Sequence, residues 1–157
     1  MENQRPYEVL LSFEGEEDTC GFTNNLYKAL TNRGIHTFID DKETLSEGNE
    51  ITPLLVKVIQ QSKIAIIVFS DNYASSSFCL EVLSSIVDNF QLQNSKFIFP
   101  VFYNINSSDV GKQGGPYYET AFVNHEEMLK ENKEKVVKWR NALSHVADLY
   151  GWHFEPG

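Results

Sequence analysis

The stretch Ile64-Ala65-Ile66-Ile67-Val68-Phe69 is an unbroken apolar run in which every residue except the alanine is β-branched or aromatic. A strand that is buried on both faces, at the centre of a parallel sheet, has this composition. At Ser70 the chain becomes polar, and between Cys79 and Phe90 apolar residues recur at helical spacing. The sequence therefore predicts a central strand, a polar loop and a helix. Ligands of open α/β sheets lie outside the carboxyl ends of such strands, so we expect any functional site at this corner.

Strands and helices alternate on either side of this unit. Further strands are predicted at residues 8–13, 35–39 and 97–103, and helical apolar stripes at residues 22–30, 51–59, 118–129 and 136–150. The segment Trp152-His153-Phe154 is predicted to be only a fragment of a fifth strand. Pro100 has no N–H, so its strand is expected near an edge or bulged. The alternation specifies an α/β fold, a flavodoxin-like parallel sheet of about five strands with helices on both faces.

Length and composition indicate one globular domain. The chain has 157 residues, and its shares of apolar (41%) and charged (22%) residues are those of folded rather than disordered chains. Its formal net charge of −9 repels phosphate backbones and anionic lipids, so we expect neither nucleic-acid binding nor membrane insertion. The cysteines Cys20 and Cys79 are predicted to be reduced thiols, which indicates a reducing compartment.

Several familiar catalytic motifs are absent from the sequence. Gly15 alone follows the first strand, which excludes the spaced glycines of a dinucleotide fold and of a phosphate-binding loop. A response regulator needs an aspartate at the end of the third strand, where Ser70 stands. No pair of histidines or cysteines has metal-ligand spacing. His36 is interpreted as structural, and the acidic segments 14–18 and 40–50 as solvated loops, with cation binding as the alternative.

Motifs spread along the whole chain resemble one family. They are Tyr7-Glu8-Val9-Leu10-Leu11-Ser12-Phe13, Gly34-Ile35-His36-Thr37-Phe38-Ile39-Asp40-Asp41, Phe69-Ser70-Asp71-Asn72-Tyr73-Ala74-Ser75-Ser76, Cys79-Leu80, Phe102-Tyr103, Ser108-Asp109-Val110, Lys112-Gln113, Trp139-Arg140-x-Ala142-Leu143 and Gly151-Trp152-His153. In this order they are similar to the Toll/interleukin receptor (TIR) domain of intracellular plant immune receptors. The resemblance implies a TIR domain over residues 7–154 after a tail at residues 1–6. It leaves open whether the chain is a TIR-only protein or part of a longer receptor.

The resemblance also implies a function and a site. Family members act in plant innate immunity by associating with other TIR domains, in the cytoplasm and also in the nucleus. Many cleave NAD at the nicotinamide bond when assembled, so NAD is the implied substrate or ligand, and no cofactor or metal is implied. The association face on the first helix, a Ser-His pair in the family, corresponds to Asn24 and Asn25. The positions that match the family's substrate pocket are Ser12, Phe13, Glu14, Gly15, Leu45, Glu47, Gly48, Ser70, Phe78 and Cys79.

The family's catalytic glutamate is missing from its expected position. The family motif reads Trp-Cys-Leu-Asp-Glu-Leu, and the gapless match here is Phe78-Cys79-Leu80-Glu81-Val82-Leu83, which places Val82 at the glutamate position. Glu81 is acidic but one residue early, and one residue turns a helix by about 100°. A catalytic carboxylate must lie within hydrogen-bond reach of its target. Glu81 is therefore a poor substitute unless the helix start shifts locally.

Cations that the family places around the substrate are also replaced. Glu14 stands in the first loop where an arginine is usual, and Glu47 precedes Gly48 where the family has Arg-Gly. Thr19 and Gly111 occupy two further arginine positions. A substrate with two phosphates requires cations, and glutamates in their place repel it.

These departures leave two functions open. The first is a pseudoenzyme, a TIR module that signals by homotypic or heterotypic TIR–TIR association with absent or weak NAD cleavage. The alternative is an NAD nucleosidase that uses Glu81 or is completed by a partner subunit. The missing glutamate and the missing arginines favour the first, and the acidic charge disfavours a third role in nucleic-acid processing.

Overall fold

The structure is a computed structural model that describes residues 5–15, 17–39 and 51–155, the side chains of residues 17 and 18 excepted. Its elements, in chain order, are β1 (Val9–Phe13), α1 (Glu17–Asn32), β2 (Thr37–Ile39), α2 (Pro53–Gln61), β3 (Ile64–Phe69), a 3-10 turn (Tyr73–Ser75), α3 (Ser77–Gln91), β4 (Phe97–Tyr103), α4 (Ser107–Lys112), α5 (Gly115–Met128), α6 (Lys133–Ala147) and β5 (Trp152–Phe154). Each predicted strand is present. None of the described helices has both the length and the apolar character that a membrane span requires.

The five strands form one parallel sheet in the order β2-β1-β3-β4-β5. This is the flavodoxin-like order expected from the sequence. β3 lies at the centre, where Ile64 pairs with Val9 of β1 and with Phe97 of β4. The consecutive residues Ile67 and Val68 face opposite sides of the sheet and are both fully buried. Burial on both faces explains why this strand carries no polar residue.

The fifth strand is formed, although it is short. Residues 152–154 pair in parallel with residues 101–103 of β4. The first half of β4 therefore has β3 on one side and no described strand on the other, which confirms that Pro100 lies near an edge. Gly151 passes so close to Pro100 that an added Cβ would collide with the Pro100 carbonyl oxygen. A glycine is thus required for β5 to reach β4 here.

Helices cover the two faces of the sheet unequally. The larger core lies between the sheet and α2, α3, α5 and α6, and its fully buried side chains include Trp139, Tyr73 and Phe69. α1 packs on the other face, where the rings of Phe22 and Tyr103 have their centroids 5.3 Å apart. α3, which follows the central strand, has buried residues along its whole length. The residues in the first turns of α3 are therefore part of the packed core, and core packing restricts which side chains can stand there.

Candidate functional site at the carboxyl edge of the sheet

Five of the predicted pocket residues meet at the carboxyl edge of the sheet. Ser12 and Phe13 end β1, Ser70 follows β3, and Phe78 and Cys79 lie in the first turn of α3. All but Phe13 are buried. The topology thus places residues that are far apart in the chain at one edge of the sheet, and their role in a substrate pocket stays a prediction.

The other predicted pocket residues lie around this group or outside the described part of the chain. Glu14 is half-buried and Gly15 is exposed, both just after β1. Leu45, Glu47 and Gly48 lie outside the described residues. Their place in the pocket stays a prediction.

A buried tyrosine that the sequence analysis did not select connects these residues. The hydroxyl oxygen of Tyr73 lies 3.0 Å from Ser12 Oγ and donates a hydrogen bond to the backbone oxygen of Cys79 at 3.3 Å. Either hydroxyl can be the donor in the shorter bond. Tyr73 therefore joins the end of β1 to the first turn of α3. Its signal in the sequence is an aromatic residue within a polar loop.

The thiol of Cys79 is directed at the first loop. Its Sγ lies 3.6 Å from the backbone oxygen of Phe13 and 3.7 Å from Oε1 of Glu14. A carboxylate thus stands beside the predicted pocket residues, at a position where the resemblance implies an arginine. Two like charges about 4 Å apart repel by about 1 kcal/mol in water and by about 4 kcal/mol near a protein surface. An anionic substrate group is disfavoured at this place.

Ser70 is held through its backbone oxygen. Tyr118 of α5 donates a hydrogen bond to that oxygen at 2.8 Å, whereas the buried Ser70 Oγ has no hydrogen-bond partner within the described residues. Burial raises the pKa of Tyr118 well above its usual value, and nearby Asp71 and Cys79 act in the same direction. The Tyr118 hydroxyl therefore stays protonated, and stays a donor, at neutral pH.

The start of α3 is set by a side-chain cap. Ser76 Oγ accepts a hydrogen bond from the backbone N–H of Cys79 at 3.1 Å, which is the usual N-cap arrangement. This cap fixes the register of the first turns of α3. The structure therefore does not contain the shift of the helix start that would move Glu81 into the place of Val82.

Glu81 and Val82 have different neighbours. Val82 is 0% exposed and belongs to the larger core. Glu81 Oε1 accepts a hydrogen bond from Nε1 of Trp139 in α6 at 2.8 Å, and Glu81 Oε2 lies 3.9 Å from Nζ of Lys135. The Glu81 carboxylate is therefore directed at α6. Sequence reasoning missed Trp139 as its partner, because the two residues are 58 positions apart.

The predicted association face is accessible. Asn24 and Asn25 are both exposed on α1, and Asn24 Nδ2 donates a weak hydrogen bond to Cys20 Sγ at 3.5 Å within the same helix. Of the two further arginine positions of the family, Thr19 is buried, and Gly111 packs against α6. A Cβ at residue 111 would come within 3.3 Å of the Ala147 side chain, so a larger residue there requires a shift.

The described residues offer no metal site. No group of three or more histidine, cysteine, aspartate or glutamate side chains in the described ranges could hold an ion. The acidic segment 40–50 lies outside those ranges. His36 is engaged structurally, since its Nδ1 lies 3.1 Å from the Pro6 backbone oxygen and its ring stacks on Tyr7. Cys20 and Cys79 are free thiols, as predicted.

Comparison with known proteins identifies the family. A family model described as "TIR domain" matches residues 6–156. The chain belongs to the TIR domain family. Over 147 residues this TIR domain is 45% identical to "Disease resistance protein RPV1" of Vitis rotundifolia, and over 145 residues it is 40% identical to "TMV resistance protein N" of Nicotiana glutinosa. These alignments cover 94% and 92% of the chain but 10% and 12% of the relatives, so the chain spans about a tenth of their length.

A solved structure confirms the fold of this TIR domain. TIR domains in the structure of the activated Roq1 resistosome that directly recognises the pathogen effector XopQ align with a TM-score of 0.84 and 43% sequence identity. The alignment covers 94% of this chain and 87% of that chain. The five-stranded flavodoxin-like sheet is therefore shared with the TIR domains of the activated Roq1 resistosome.

Proposed function

We propose that this TIR domain is a signalling module of plant innate immunity that acts by TIR–TIR association, with absent or weak NAD cleavage. One observation carries the proposal. In the first turns of α3, Val82 occupies the position that matches the family's catalytic glutamate and is fully buried, while Glu81 is bonded to α6.

A catalytic role for Glu81 would require its carboxylate to leave Trp139 and Lys135. The indole of Trp139 is 1% exposed, and its N–H would lose its acceptor if Glu81 turned away. An unsatisfied buried donor costs about 1–3 kcal/mol. Lys135, at 3.9 Å, adds a favourable charge interaction at the present position. These contacts support a structural role for Glu81.

Association is supported by the proteins that this TIR domain resembles. The Roq1 TIR domains belong to an activated resistosome, and the relatives RPV1 and N are named for disease resistance. A TIR domain without chemistry of its own still acts when it occupies an interface of another TIR domain, as an adaptor or as a decoy. Its proposed partners are TIR domains of its own kind or of receptors, in the cytoplasm and also in the nucleus.

NAD consumption by the purified domain at high protein concentration tests the catalytic half of the proposal. Val82→Glu restores the carboxylate of the family, and Val82→Gln is a matched control with an amide of similar size. We expect no NAD loss from the parent or from Val82→Gln. NAD loss from Val82→Glu, but not from the parent or from Val82→Gln, would indicate that the parent's pocket lacks only the glutamate carboxylate. Circular dichroism on both variants checks that a polar side chain at this buried position leaves the domain folded.

Two results would overturn the proposal. NAD loss from the parent that disappears in Glu81→Ala would favour the alternative, an NAD nucleosidase that uses Glu81. NAD loss that arises only when a second TIR domain is added would indicate a pocket completed by a partner subunit. The association half is tested by light scattering, alone and with the TIR domain of a relative. The absence of any complex in both experiments would contradict it.

A further inference from the structure

A cationic cavity lies at the amino edge of the sheet, opposite the site described above. Its volume is about 520 Å³, and its walls come from the segment before β1, from the residue that precedes β2 and from α2. Its lining includes Arg5, Tyr7, His36, Leu54 and Lys57. We refer to this cavity as the amino-edge groove.

Backbone and ring contacts hold the walls of the amino-edge groove in place. The rings of Tyr7 and His36 are stacked with their centroids 4.1 Å apart. The backbone N–H of Tyr7 donates to Gln61 Oε1 at 3.2 Å, and the backbone N–H of His36 donates to Glu8 Oε2 at 2.9 Å. His36 Nδ1 also lies 3.1 Å from the Pro6 backbone oxygen. Three separate segments are tied together in this way, so the groove is formed before any partner arrives.

The cations of the amino-edge groove and those of α6 differ in whether a carboxylate of the described residues lies beside them. Three cationic side chains of α6 face carboxylates: Lys135 faces Glu81, Lys138 faces Asp88 and Arg140 faces Glu126. Arg5 and Lys57, which line the groove, form no ion pair with any residue that the structure describes. Their charge is therefore available to an anionic partner.

Cations predominate at the amino edge of the sheet and carboxylates at the carboxyl edge, although Glu8 lies at the amino edge and Lys112 at the carboxyl edge. Further cations lie at turns of the amino edge: Arg33, Lys63 and Lys96. Acidic residues lie on the segments that follow the strands at the carboxyl edge: Glu14, Asp71, Asp109 and Glu155. Asp71 and Asp109 line one shallow pocket there. One end of the domain is thus complementary in charge to the other end.

We propose that the amino-edge groove receives the acidic carboxyl edge of a second copy of this chain in a head-to-tail contact. The inference rests on the proposed function and names one surface that this association uses. Copies of a chain with a net charge of −9 repel one another, so contact is most favourable where one copy offers cations that no carboxylate of the described residues pairs. Leu54, which is 49% exposed, and Tyr7 add apolar surface beside Arg5 and Lys57.

Such a contact is heterologous, because it joins two different surfaces of the same molecule. A chain of such contacts keeps a free groove at one end and a free acidic edge at the other, so the assembly grows beyond a dimer. The contact also weakens as salt is added, because exposed charges are screened within about 8 Å at physiological ionic strength.

The test compares the self-association of matched charge variants by sedimentation velocity. Arg5→Glu/Lys57→Glu reverses the groove, and Lys130→Glu/Lys133→Glu makes the same change of charge near α6. Glu14→Lys/Glu155→Lys reverses the acidic edge. Each is measured over a concentration series at about 20 mM and about 300 mM NaCl. We expect the dissociation constant to rise about tenfold or more for the groove and edge variants and to change little for the control.

A mixture of the groove variant and the edge variant gives the most specific result. The reversed groove of one variant should accept the reversed edge of the other. Association should therefore return in the mixture, although each variant alone self-associates weakly. If the parent associates but the groove variant associates equally well, the inference is wrong while the proposed function stands. If the parent does not associate alone or with a receptor TIR domain, the proposed function fails as well. Thermal unfolding of each variant confirms that it is folded.

Discussion

The indole Nε1 of Trp139 in α6 donates a 2.8 Å hydrogen bond to Oε1 of Glu81 in α3. The bond joins two helices that both pack on the larger core, and it holds the acidic residue nearest the expected catalytic position. Trp139 is 1% exposed, and the side chain of Glu81 is 28% exposed. Glu81, the acidic residue beside the expected catalytic position, is therefore a structural contact between α3 and α6.

Removal of the Glu81 carboxylate should weaken the fold and leave any NAD chemistry unchanged. We expect Glu81→Ala to lower the free energy of unfolding by about 1–3 kcal/mol, because the buried indole N–H loses its acceptor. Glu81→Gln should recover much of this loss, because an amide oxygen also accepts. Urea unfolding measures both variants, with Glu127→Ala as an exposed control expected within about 0.5 kcal/mol of the parent.

A catalytic Glu81 would behave differently. In the Val82→Glu background, a further Glu81→Ala change should leave the rate of NAD loss unaltered once the protein is folded. A large drop in that rate, with no change in stability, would contradict the structural role of Glu81.

Loss of the Tyr73 hydroxyl should loosen the junction between β1 and α3. Its oxygen lies 3.0 Å from Ser12 Oγ and 3.3 Å from the Cys79 backbone oxygen, and Tyr73 is fully buried. We expect Tyr73→Phe to destabilise the domain by about 1–3 kcal/mol in urea unfolding. Tyr117→Phe is the control, because Tyr117 is 53% exposed. Equal stability of Tyr73→Phe and the parent would mean that the two hydrogen bonds make no net contribution to the free energy of unfolding.

Tyr118 should make the stability of the domain fall at alkaline pH. Its pKa is raised by burial in the folded state, so above the usual tyrosine value of 10.0 the folded chain holds a proton that the unfolded chain has released. The contribution is fully present below that pH and is lost as pH rises toward the folded pKa. Tyr118→Phe should be less stable at neutral pH, without the hydrogen bond to the Ser70 backbone oxygen, but should show a flatter decline between about pH 9 and 11.

Urea unfolding across this pH range checks the prediction for Tyr118. Tyr150→Phe serves as the control, because Tyr150 is 92% exposed. Parallel curves for the parent and Tyr118→Phe would show that another group causes the alkaline loss.

The α1 surface should associate more tightly when the family's residue pair is restored. Asn24 and Asn25 are exposed at the positions where the resemblance places a Ser-His pair. We expect Asn24→Ser/Asn25→His to lower the dissociation constant of self-association about tenfold, the equivalent of about 1.4 kcal/mol. Asn141→His on α6 places the same side chain on an exposed position elsewhere. A gain of the same size from both variants would attribute the effect to an added histidine rather than to the α1 surface.

The fold was predictable wherever the signal was local. The apolar run at residues 64–69 indicated the central strand because burial on both faces leaves no place for polar side chains. β5 was predicted only as a fragment, because three residues carry little pattern. Its position depends on the close approach of Gly151 to Pro100, and the two residues are distant in the chain.

The sequence alone predicted the order of strands and helices, and its resemblance to a known family predicted the family and the match of Val82 to the family's catalytic glutamate. The elements were predictable because apolar periodicity is a local property that a single chain displays, whereas the family and its catalytic position are what the resemblance implies. The tertiary structure decided what the side chains at the site do. Ser12 is hydrogen-bonded to Tyr73, 61 residues away, and Glu81 to Trp139, 58 residues away. No local sequence pattern predicts such partners. The physical reason is that these hydrogen bonds form only after the sheet and helices have packed and have removed water from the groups that make them.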